Sequence, residues 1–309
     1  MKRVLVTGAT GFIARHCLKQ LVDRGYSVHA VAHRRPSFDL AGVEWHGADL
    51  LDAQSITDLV SQVRPTHLMH FAWYAVPADY RSSPENLRWC QASLELLRMF
   101  AAKGGERAIF AGTCFEYDDR YGYCSEGFTP NTSSTLYGTC KSSFSNVALR
   151  YAEQFGVLAS SGRIFFVYGP HEASARLVPN VIRKLLHGQP AECSHGEQVR
   201  DYMHVQDVAD AFVSVLESRV TGIVNIASGT PVMLKDIVYI LAEMLGGHHL
   251  VRLGALAAPA NEPPVLLADV RRLREEVCWR PRIELRSGLA DTVRWWRDYS
   301  SETPVLPRA

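Results

Sequence analysis

The start of the chain carries the feature that most constrains its fold: a short apolar strand that runs through a glycine turn directly into a helix. The segment reads Val4-Leu5-Val6-Thr7-Gly8-Ala9-Thr10-Gly11-Phe12-Ile13-Ala14, and apolar residues then recur at helical spacing up to Arg24-Gly25. Such a turn lets the backbone N–H groups of the helix N-terminus approach a pyrophosphate. An ordinary turn with two glycines fits less well, because the strand, the turn and the helix all come in the required order.

The turn therefore predicts a dinucleotide site that includes Gly8, Thr10, Gly11, Phe12 and Ile13. The second strand ends in His33-Arg34-Arg35, and no acidic residue occurs between Gly25 and Asp39. An Asp or Glu at this point would hold the 2′-hydroxyl of NAD, whereas an arginine suits the 2′-phosphate of NADP. We therefore expect NADP, with NAD as the alternative.

The first half of the chain alternates short apolar runs with amphipathic stretches, a pattern typical of β-α-β units. It predicts an α/β fold with a Rossmann-type, doubly wound parallel sheet. We expect residues 1–168 to form this dinucleotide-binding domain and residues 169–309 to form mainly a smaller α/β substrate lobe, with some segments returning to the sheet. The predicted strands and longer helices are Arg3–Val6, Ser27–Ala32, His67–Phe71, Ala108–Ala111 and Val157–Arg163, and Glu85–Ala102 and Tyr137–Gln154.

Three residues are candidates for acid–base chemistry. Tyr137 and Lys141 are four residues apart, so a helix would place them on one face. An ammonium near a phenol favours the phenolate, and the pair therefore predicts a tyrosine whose pKa moves towards neutral pH. Thr113 ends a predicted strand, at the edge of the sheet where a cofactor binds.

Composition excludes other classes of protein. Lys+Arg 33 against Asp+Glu 32 gives a formal net charge of +1, which argues against nucleic-acid or polybasic membrane binding. The seven cysteines are scattered without a C-x-x-C pair, which is typical of a reduced, cytoplasmic protein. No apolar run approaches the length of a membrane span. The 12 histidines, among them His248-His249, show no carboxylate or cysteine at ligand spacing, so we expect no metal site.

Taken together, the motifs resemble the extended short-chain dehydrogenase/reductases, and within them the NAD-dependent nucleotide-sugar epimerase/dehydratase group. The resemblance runs from Arg3 to about Trp296 and rests on the glycine turn, Thr113, Tyr137-Gly138-Thr139-Cys140-Lys141, Tyr168-Gly169-Pro170 and Arg200-Asp201-Tyr202-Met203-His204-Val205-Gln206-Asp207-Val208.

This resemblance implies a role for each matching residue. Tyr137 would be the acid/base, Lys141 would hold the nicotinamide ribose and tune Tyr137, and Thr113 would bond the reacting sugar oxygen. Arg200 would bind the nucleotide diphosphate. Further cofactor contacts would be His33, Asp49, Leu50, Phe71, Ala72 and Trp73, and further substrate contacts Phe115, Phe166, Arg176 and Val178. The partner would be a nucleotide-diphosphate sugar, and the two long helices would form a homodimer interface.

The reaction within the group follows from what is missing. The 4,6-dehydratases place Asp-Glu directly after the catalytic Thr, where this chain has Cys114 and Phe115. The GDP-fucose synthase type needs a Cys and a His at the positions of Phe115 and Arg176. The remaining alternatives need only Thr, Tyr and Lys: 4-epimerisation, or reduction of a ketosugar.

Two features favour reduction. One is the arginine pair after the second strand; the other is a set of C-terminal segments that look like the 4-ketoreductases of deoxyhexose synthesis, such as CDP-abequose synthase. These segments are Gly196-Glu197-Gln198-Val199-Arg200-Asp201, Leu253-Gly254-Ala255-Leu256, Asn261-Glu262-Pro263-Pro264 and Trp279-Arg280-Pro281. We therefore expect NADPH-dependent reduction of a nucleotide-diphospho-4-keto-6-deoxyhexose at C4. The alternatives are an NAD-dependent 4-epimerase and a non-catalytic cofactor-binding sensor.

Three aromatic residues depart from the family pattern: Trp73 after the fourth strand, Trp89, and Phe166 before the Tyr-Gly-Pro segment. They either narrow the sugar pocket or fill the core, and the sequence leaves both alternatives open.

Overall fold

The structure is a computed structural model that describes residues 2–33, 40–77, 79–258 and 262–302. Its larger part is built on a seven-stranded sheet in which all neighbouring strands are parallel. Its strands lie in the order β3-β2-β1-β4-β5-β7-β11. The order reverses between β1 and β4, and at such a point the carboxyl ends of the strands leave a crevice for a ligand. The strands are β1 (Arg3–Thr7), β2 (Ser27–Ala32), β3 (Val43–Gly47), β4 (His67–His70), β5 (Arg107–Thr113), β7 (Leu158–Ile164) and β11 (Gly222–Ile226).

Helices cover both faces of this sheet, because successive side chains of a buried strand point to opposite sides. Val4 and Val6 pack on α1 and α6, and Leu5 packs on the other side with α2, α3 and α4. Both faces are apolar, as a doubly wound sheet requires. The helices are α1 (Ala14–Asp23), α2 (Ala53–Val63), α3 (Glu85–Ala102), α4 (Leu136–Gln154) and α6 (Val205–Glu217).

The C-terminal half builds a second, smaller sheet and its own apolar core. Five strands form the sheet: β6 (Tyr123–Cys124), β8 (Phe166–Tyr168), β10 (Val199–His204), β12 (Pro231–Met233) and β14 (Val265–Ala268). The short pair β9 (Ala191–Glu192) and β13 (Val251–Arg252) lies apart from it, and the core is closed by α5 (Leu177–Leu186), α7 (Leu234–Leu245) and α8 (Leu285–Glu302). β6 comes from the first half of the chain, while β11 and α6 return to the large sheet.

The predicted Rossmann-type fold is confirmed, and the five predicted strands all occur in the large sheet. The main difference is β5, which is longer than predicted and ends at Thr113 itself. β5 extends to Thr113 because β7 continues to pair with its backbone beyond Phe110, where the pairing with β4 ends. Among the described residues, no helix has both the length and the apolar character needed to cross a membrane.

Candidate active site

A cleft of about 700 Å³ opens where the carboxyl ends of the large sheet face the smaller lobe. A cavity of this size suits a cofactor and a small substrate together. Its N-terminal wall contains Gly8, Thr10, Gly11, Phe12, Ile13, Phe71, Ala72, Trp73, Thr113, Phe115, Tyr137 and Lys141. Its C-terminal wall contains Phe166, Glu172, Arg176, Gln198, Arg200, Tyr202 and Glu262. The cleft thus brings together most of the residues that the sequence predicts for the cofactor and substrate sites.

The turn after β1 is shaped by Gly8. Its φ is +64°, and a Cβ on this residue would lie 2.8 Å from the backbone nitrogen of Ala72. The N–H of Gly11 donates to the carbonyl of Gly8 over 2.8 Å, which tightens the turn before α1 begins. A residue without a side chain is therefore required here, and the N-terminus of α1 is left open to a phosphate.

A buried hydrogen-bond chain fixes the neighbouring strand ends to each other. Thr7 Oγ1 lies 2.7 Å from His70 Nδ1, and His70 Nε2 lies 2.8 Å from Ser93 Oγ on α3. Burial lowers the pKa of His70 to about 3, so the imidazole is neutral at ordinary pH. The floor of the crevice between β1 and β4 is consequently rigid before any ligand binds.

Thr113 is held by an ion pair beneath it. The N–H of Thr113 donates to Glu116 Oε1 over 2.9 Å, and the second oxygen of Glu116 accepts from Arg163 Nε over 2.9 Å. Both charged side chains are fully buried, and the Arg163 guanidinium lies 4.1 Å from the ring centre of Tyr117. The pair positions the Thr113 hydroxyl at the cleft surface, and the sequence motifs gave no sign of it.

α4 carries Tyr137 and Lys141 into the cleft. The helix begins after Thr135, whose hydroxyl accepts from the N–H of Gly138 over 3.1 Å. A Cβ on Gly138 would lie 2.1 Å from the carbonyl oxygen of Phe115. The glycine between Tyr137 and Lys141 therefore lets α4 approach the segment after Thr113, and this contact brings all three predicted catalytic residues to one cavity.

The pKa of Tyr137 is shifted in the direction opposite to the one expected from the sequence. Burial raises the pKa of Tyr137, and its hydrogen bond with the Thr113 side chain only partly opposes this. The expected lowering by Lys141 is wrong here, because the Lys141 ammonium donates to the carbonyl of Ala111 over 2.8 Å and lies 3.9 Å from the Trp73 ring centre. Burial lowers the pKa of Lys141 itself to about 7, although Glu116 acts in the opposite direction.

On the opposite wall, Arg200 is buried and already paired. Its guanidinium lies 3.0 Å from Glu262 Oε1 and 5.4 Å from the ring centre of Phe166. The other oxygen of Glu262 accepts from Gln198 Nε2 over 2.8 Å, while the buried Oε1 of Gln198 has no hydrogen-bond partner. This wall thus offers a cation held in place and an amide oxygen that can accept a hydrogen bond.

Glu172 is one of the cleft residues that the sequence analysis missed; Tyr80 and Arg81 are others. It is 9% exposed, and its Oε2 is buried without a hydrogen-bond partner. Burial raises the pKa of Glu172 well above its usual range, with Arg176 acting in the opposite direction. The preceding residue, His171, has a φ of +71°, a strained conformation outside glycine. A signal was present, namely an acidic residue two positions after the Tyr-Gly-Pro segment.

Of the three aromatic residues that depart from the family pattern, two line the cleft and one fills the core. Trp73 and Phe166 line the cleft, whereas Trp89 packs against the apolar core beneath α3. The Trp73 indole N–H donates to Asn86 Oδ1 over 2.8 Å, which fixes its ring against Lys141.

Other predicted contacts lie elsewhere. Val178 is a correction: it is buried in the apolar core of the smaller lobe, because it lies on the face of α5 that packs inward. His33, Asp49 and Leu50 lie beyond the residues that line the cavity, and Leu50 is part of the core. Arg34 and Arg35 lie outside the described residues.

The expectation about histidines is also wrong in one respect. Glu44 and His46 alternate along β3, and His29 on β2 lies beside them, so that a carboxylate and two imidazoles do meet at ligand distance. Linear spacing did not reveal this because the group spans two strands.

The cleft fits a dinucleotide by its own geometry, since the Gly8 turn packs closely on the backbone of Phe71 and Ala72 and brings the N-terminus of α1 to the cleft. A family model described as the NAD dependent epimerase/dehydratase family matches residues 4–227. The chain belongs to this family, which places it among the nucleotide-sugar enzymes of the extended short-chain dehydrogenase/reductase type.

Relatives of several activities cover almost the same length. The chain is 27% identical to dTDP-4-dehydro-6-deoxy-D-allose reductase of Streptomyces bikiniensis, covering 97% of each chain. It is 26% identical to UDP-glucose 4-epimerase of Corynebacterium glutamicum, covering 94% of each. It is 25% identical to CDP-abequose synthase of Salmonella muenchen, covering 84% of this chain and 87% of the relative. The UDP-glucose 4-epimerase of Thermus thermophilus in complex with NAD superposes with a TM-score of 0.84 at 26% identity, covering 96% of this chain and 99% of that one.

Proposed function

We propose that the protein reduces the C4 ketone of a nucleotide-diphospho-4-keto-6-deoxyhexose with NADPH. The observation that carries this proposal is the reacting end of the cleft. Thr113 and a protonated Tyr137 lie together there, and the positions directly after Thr113 hold Cys114 and Phe115. Burial raises the pKa of the Cys114 thiol, so it does not supply the second acid or base that dehydration needs. Redox chemistry at a single carbon needs only one proton donor.

The protein residues supply position and protons. A nicotinamide cofactor, held by the turn at Gly8 to Ile13 and by Lys141, would contribute the hydride. The Thr113 hydroxyl orients the O4 oxygen of the sugar, and Tyr137 donates its phenolic proton to that oxygen as negative charge develops there. The raised pKa of Tyr137 suits this direction, because the residue is protonated before the reaction begins. Arg200 binds the diphosphate by charge-assisted hydrogen bonds.

The preference for NADP rests on the sequence. Arg34 and Arg35 follow β2, where an arginine suits a 2′-phosphate, and no acidic residue precedes Asp39 in this connection. Two relatives support the reaction, one named a dTDP-4-dehydro-6-deoxy-D-allose reductase and the other a CDP-abequose synthase. A homodimer through α3 and α4 is part of the same proposal.

A 4-epimerase is the second candidate, and specific observations favour it too. The relatives include UDP-glucose 4-epimerases at comparable identity, one of them solved with NAD. An epimerase uses the same Thr, Tyr and Lys but must release its sugar within the cleft and rebind the opposite face.

One experiment separates the candidates. NADPH and then NADH are mixed with the protein and a panel of nucleotide-diphospho-4-keto-6-deoxyhexoses, and the loss of nicotinamide absorbance is followed. Rapid oxidation of NADPH by one panel member supports the reductase, and a matched Arg34→Asp variant should then shift the preference towards NADH. In a parallel assay with NAD and nucleotide sugars that carry a 4-hydroxyl group, interconversion of C4 epimers with no net change in nicotinamide absorbance contradicts reduction and establishes the epimerase. Cofactor binding without turnover of any sugar would instead indicate a sensor.

A further inference from the structure

A group of metal-ligating side chains lies on the edge of the large sheet, away from the cleft. β2 and β3 pair in parallel with His29 opposite Glu44, and His46 follows two residues later on the same face. His29 Nδ1 lies 3.0 Å from His46 Nε2, and the two oxygens of Glu44 lie 3.5 Å from His29 Nδ1 and 3.6 Å from His46 Nε2. Three donor groups therefore form a small triangle, and none of them lines the cleft.

The size of the triangle matches a metal with short bonds. Ligand atoms at about 2.0–2.1 Å from a tetrahedral zinc ion are about 3.3 Å from one another. The three separations, 3.0, 3.5 and 3.6 Å, bracket this value, so small side-chain rotations would bring all three donors to a shared ion. Two imidazoles and a carboxylate suit zinc and its first-row neighbours, whereas Mg²⁺ and Ca²⁺ prefer oxygen ligands throughout.

The surroundings of the two imidazoles are those of ligands. Ser27 Oγ lies 3.2 Å from His29 Nε2, which lets Nε2–H donate to the hydroxyl and leaves the Nδ1 lone pair directed at the triangle. The side chains of His29 and His46 are 10% and 8% exposed, and that of Glu44 is 63% exposed.

This arrangement combines two rigid ligands with one mobile one. The imidazoles are fixed by the strands, and the exposed carboxylate can close over an ion that arrives from solvent, with water in the fourth position. We propose that His29, Glu44 and His46 form a zinc-class metal site that ties the edge strand β3 to β2. The site would stabilise the two ends of the connection that carries Arg34 and Arg35, and it is independent of the proposed reaction.

The test uses the full-length chain, stripped of metal and titrated with Zn²⁺ against a chromophoric chelator, with Co²⁺ as a spectroscopic probe. We expect one equivalent to bind, a visible Co²⁺ spectrum of a tetrahedral nitrogen and oxygen site, and a higher melting temperature with Zn²⁺. His46→Gln should weaken binding by more than about tenfold, the loss that even an outer ligand partner causes. His195→Gln is the matched control, because His195 faces only one carboxylate, Glu197, at 3.9 Å.

Two results would overturn the site. One is equal zinc affinity in the wild type and His46→Gln, which would show that the ion binds elsewhere. The other is a thiolate-to-cobalt charge-transfer band, which would place the ion on a cysteine such as the exposed Cys278. Glu44→Gln provides a second variant, since Glu44 is exposed and its replacement leaves the fold intact. If His46→Gln fails to fold, loss of zinc affinity in Glu44→Gln decides the question.

Discussion

The two walls of the cleft differ in whether their buried polar groups have hydrogen-bond partners within the protein. On the N-terminal wall the polar groups have partners inside the protein: Thr7 bonds His70, the Thr113 backbone bonds Glu116, and Lys141 bonds the carbonyl of Ala111. On the C-terminal wall, Glu172 and Gln198 each keep a buried oxygen without a partner. The first wall is complete before a ligand arrives, whereas the second still has hydrogen bonds to make. In the proposed function, the first wall would carry the chemistry and the second would select the substrate.

Removing the proton donor on the first wall should give the largest effect, a loss of turnover without a loss of substrate binding. Tyr137→Phe is expected to lower kcat by about 10³-fold, within the range for a general acid, and to leave the Kd for the nucleotide sugar nearly unchanged. Steady-state kinetics and calorimetry check both values. Tyr80→Phe is the control, because the Tyr80 ring packs against Tyr137 with 4.9 Å between centres. Similar losses in both variants would contradict the assignment of Tyr137.

The complementary change is on the other wall. Arg200→Met should raise the Kd for the nucleotide sugar by about 10²-fold, since it removes a charged donor and leaves the Glu262 carboxylate without its cationic partner. Cofactor affinity should stay the same, as measured by nicotinamide fluorescence. Arg183→Met controls for loss of a cation, because Arg183 lies against Trp296 and outside the cleft lining. A parallel loss of cofactor affinity would show that the walls are not separate.

The glycine turn allows a finer test. Gly8→Ala should raise the Kd for the cofactor about tenfold, the equivalent of about 1.4 kcal/mol of backbone strain. Gly25→Ala is its match: Gly25 also has a positive φ, +79°, but a Cβ there would meet open space. Both variants should lose thermal stability, and only Gly8→Ala should lose cofactor affinity. Unchanged cofactor binding in Gly8→Ala would argue against the turn as a phosphate site.

The smallest expected effect concerns Glu172. Because burial raises its pKa, the folded chain retains this proton at pH values where the unfolded chain has lost it. The stability from the neutral carboxyl is therefore complete below the usual glutamate pKa and is lost as the pH rises through the raised value. Glu172→Gln removes this titration, so its melting temperature relative to that of the wild type should rise as the pH increases from the usual glutamate pKa towards the raised value. A constant difference would mean that Glu172 does not titrate in this way.

Most of the first wall was predictable from sequence, but only part of the second, namely Phe166, Arg176 and Arg200. Strand and helix periods are local, and so are the Gly8 turn and the spacing of Tyr137 and Lys141. The unpartnered oxygen of Glu172 depends instead on which side chains fail to reach it, and a sequence does not express that. The Glu116–Arg163 pair and the His29–Glu44–His46 group depend on strand register in the same way. Val178 was misplaced because the rotation of α5 is decided by the core it packs on.

The lowered pKa of Lys141 gives the cleft a capacity beyond binding. Burial lowers this pKa to about 7, so the amine changes its charge near neutral pH. An anionic ligand placed beside the amine stabilises its charged form, so ligand binding draws a proton from the surrounding buffer. The affinity of the cleft for any anion that reaches Lys141 should therefore depend on pH.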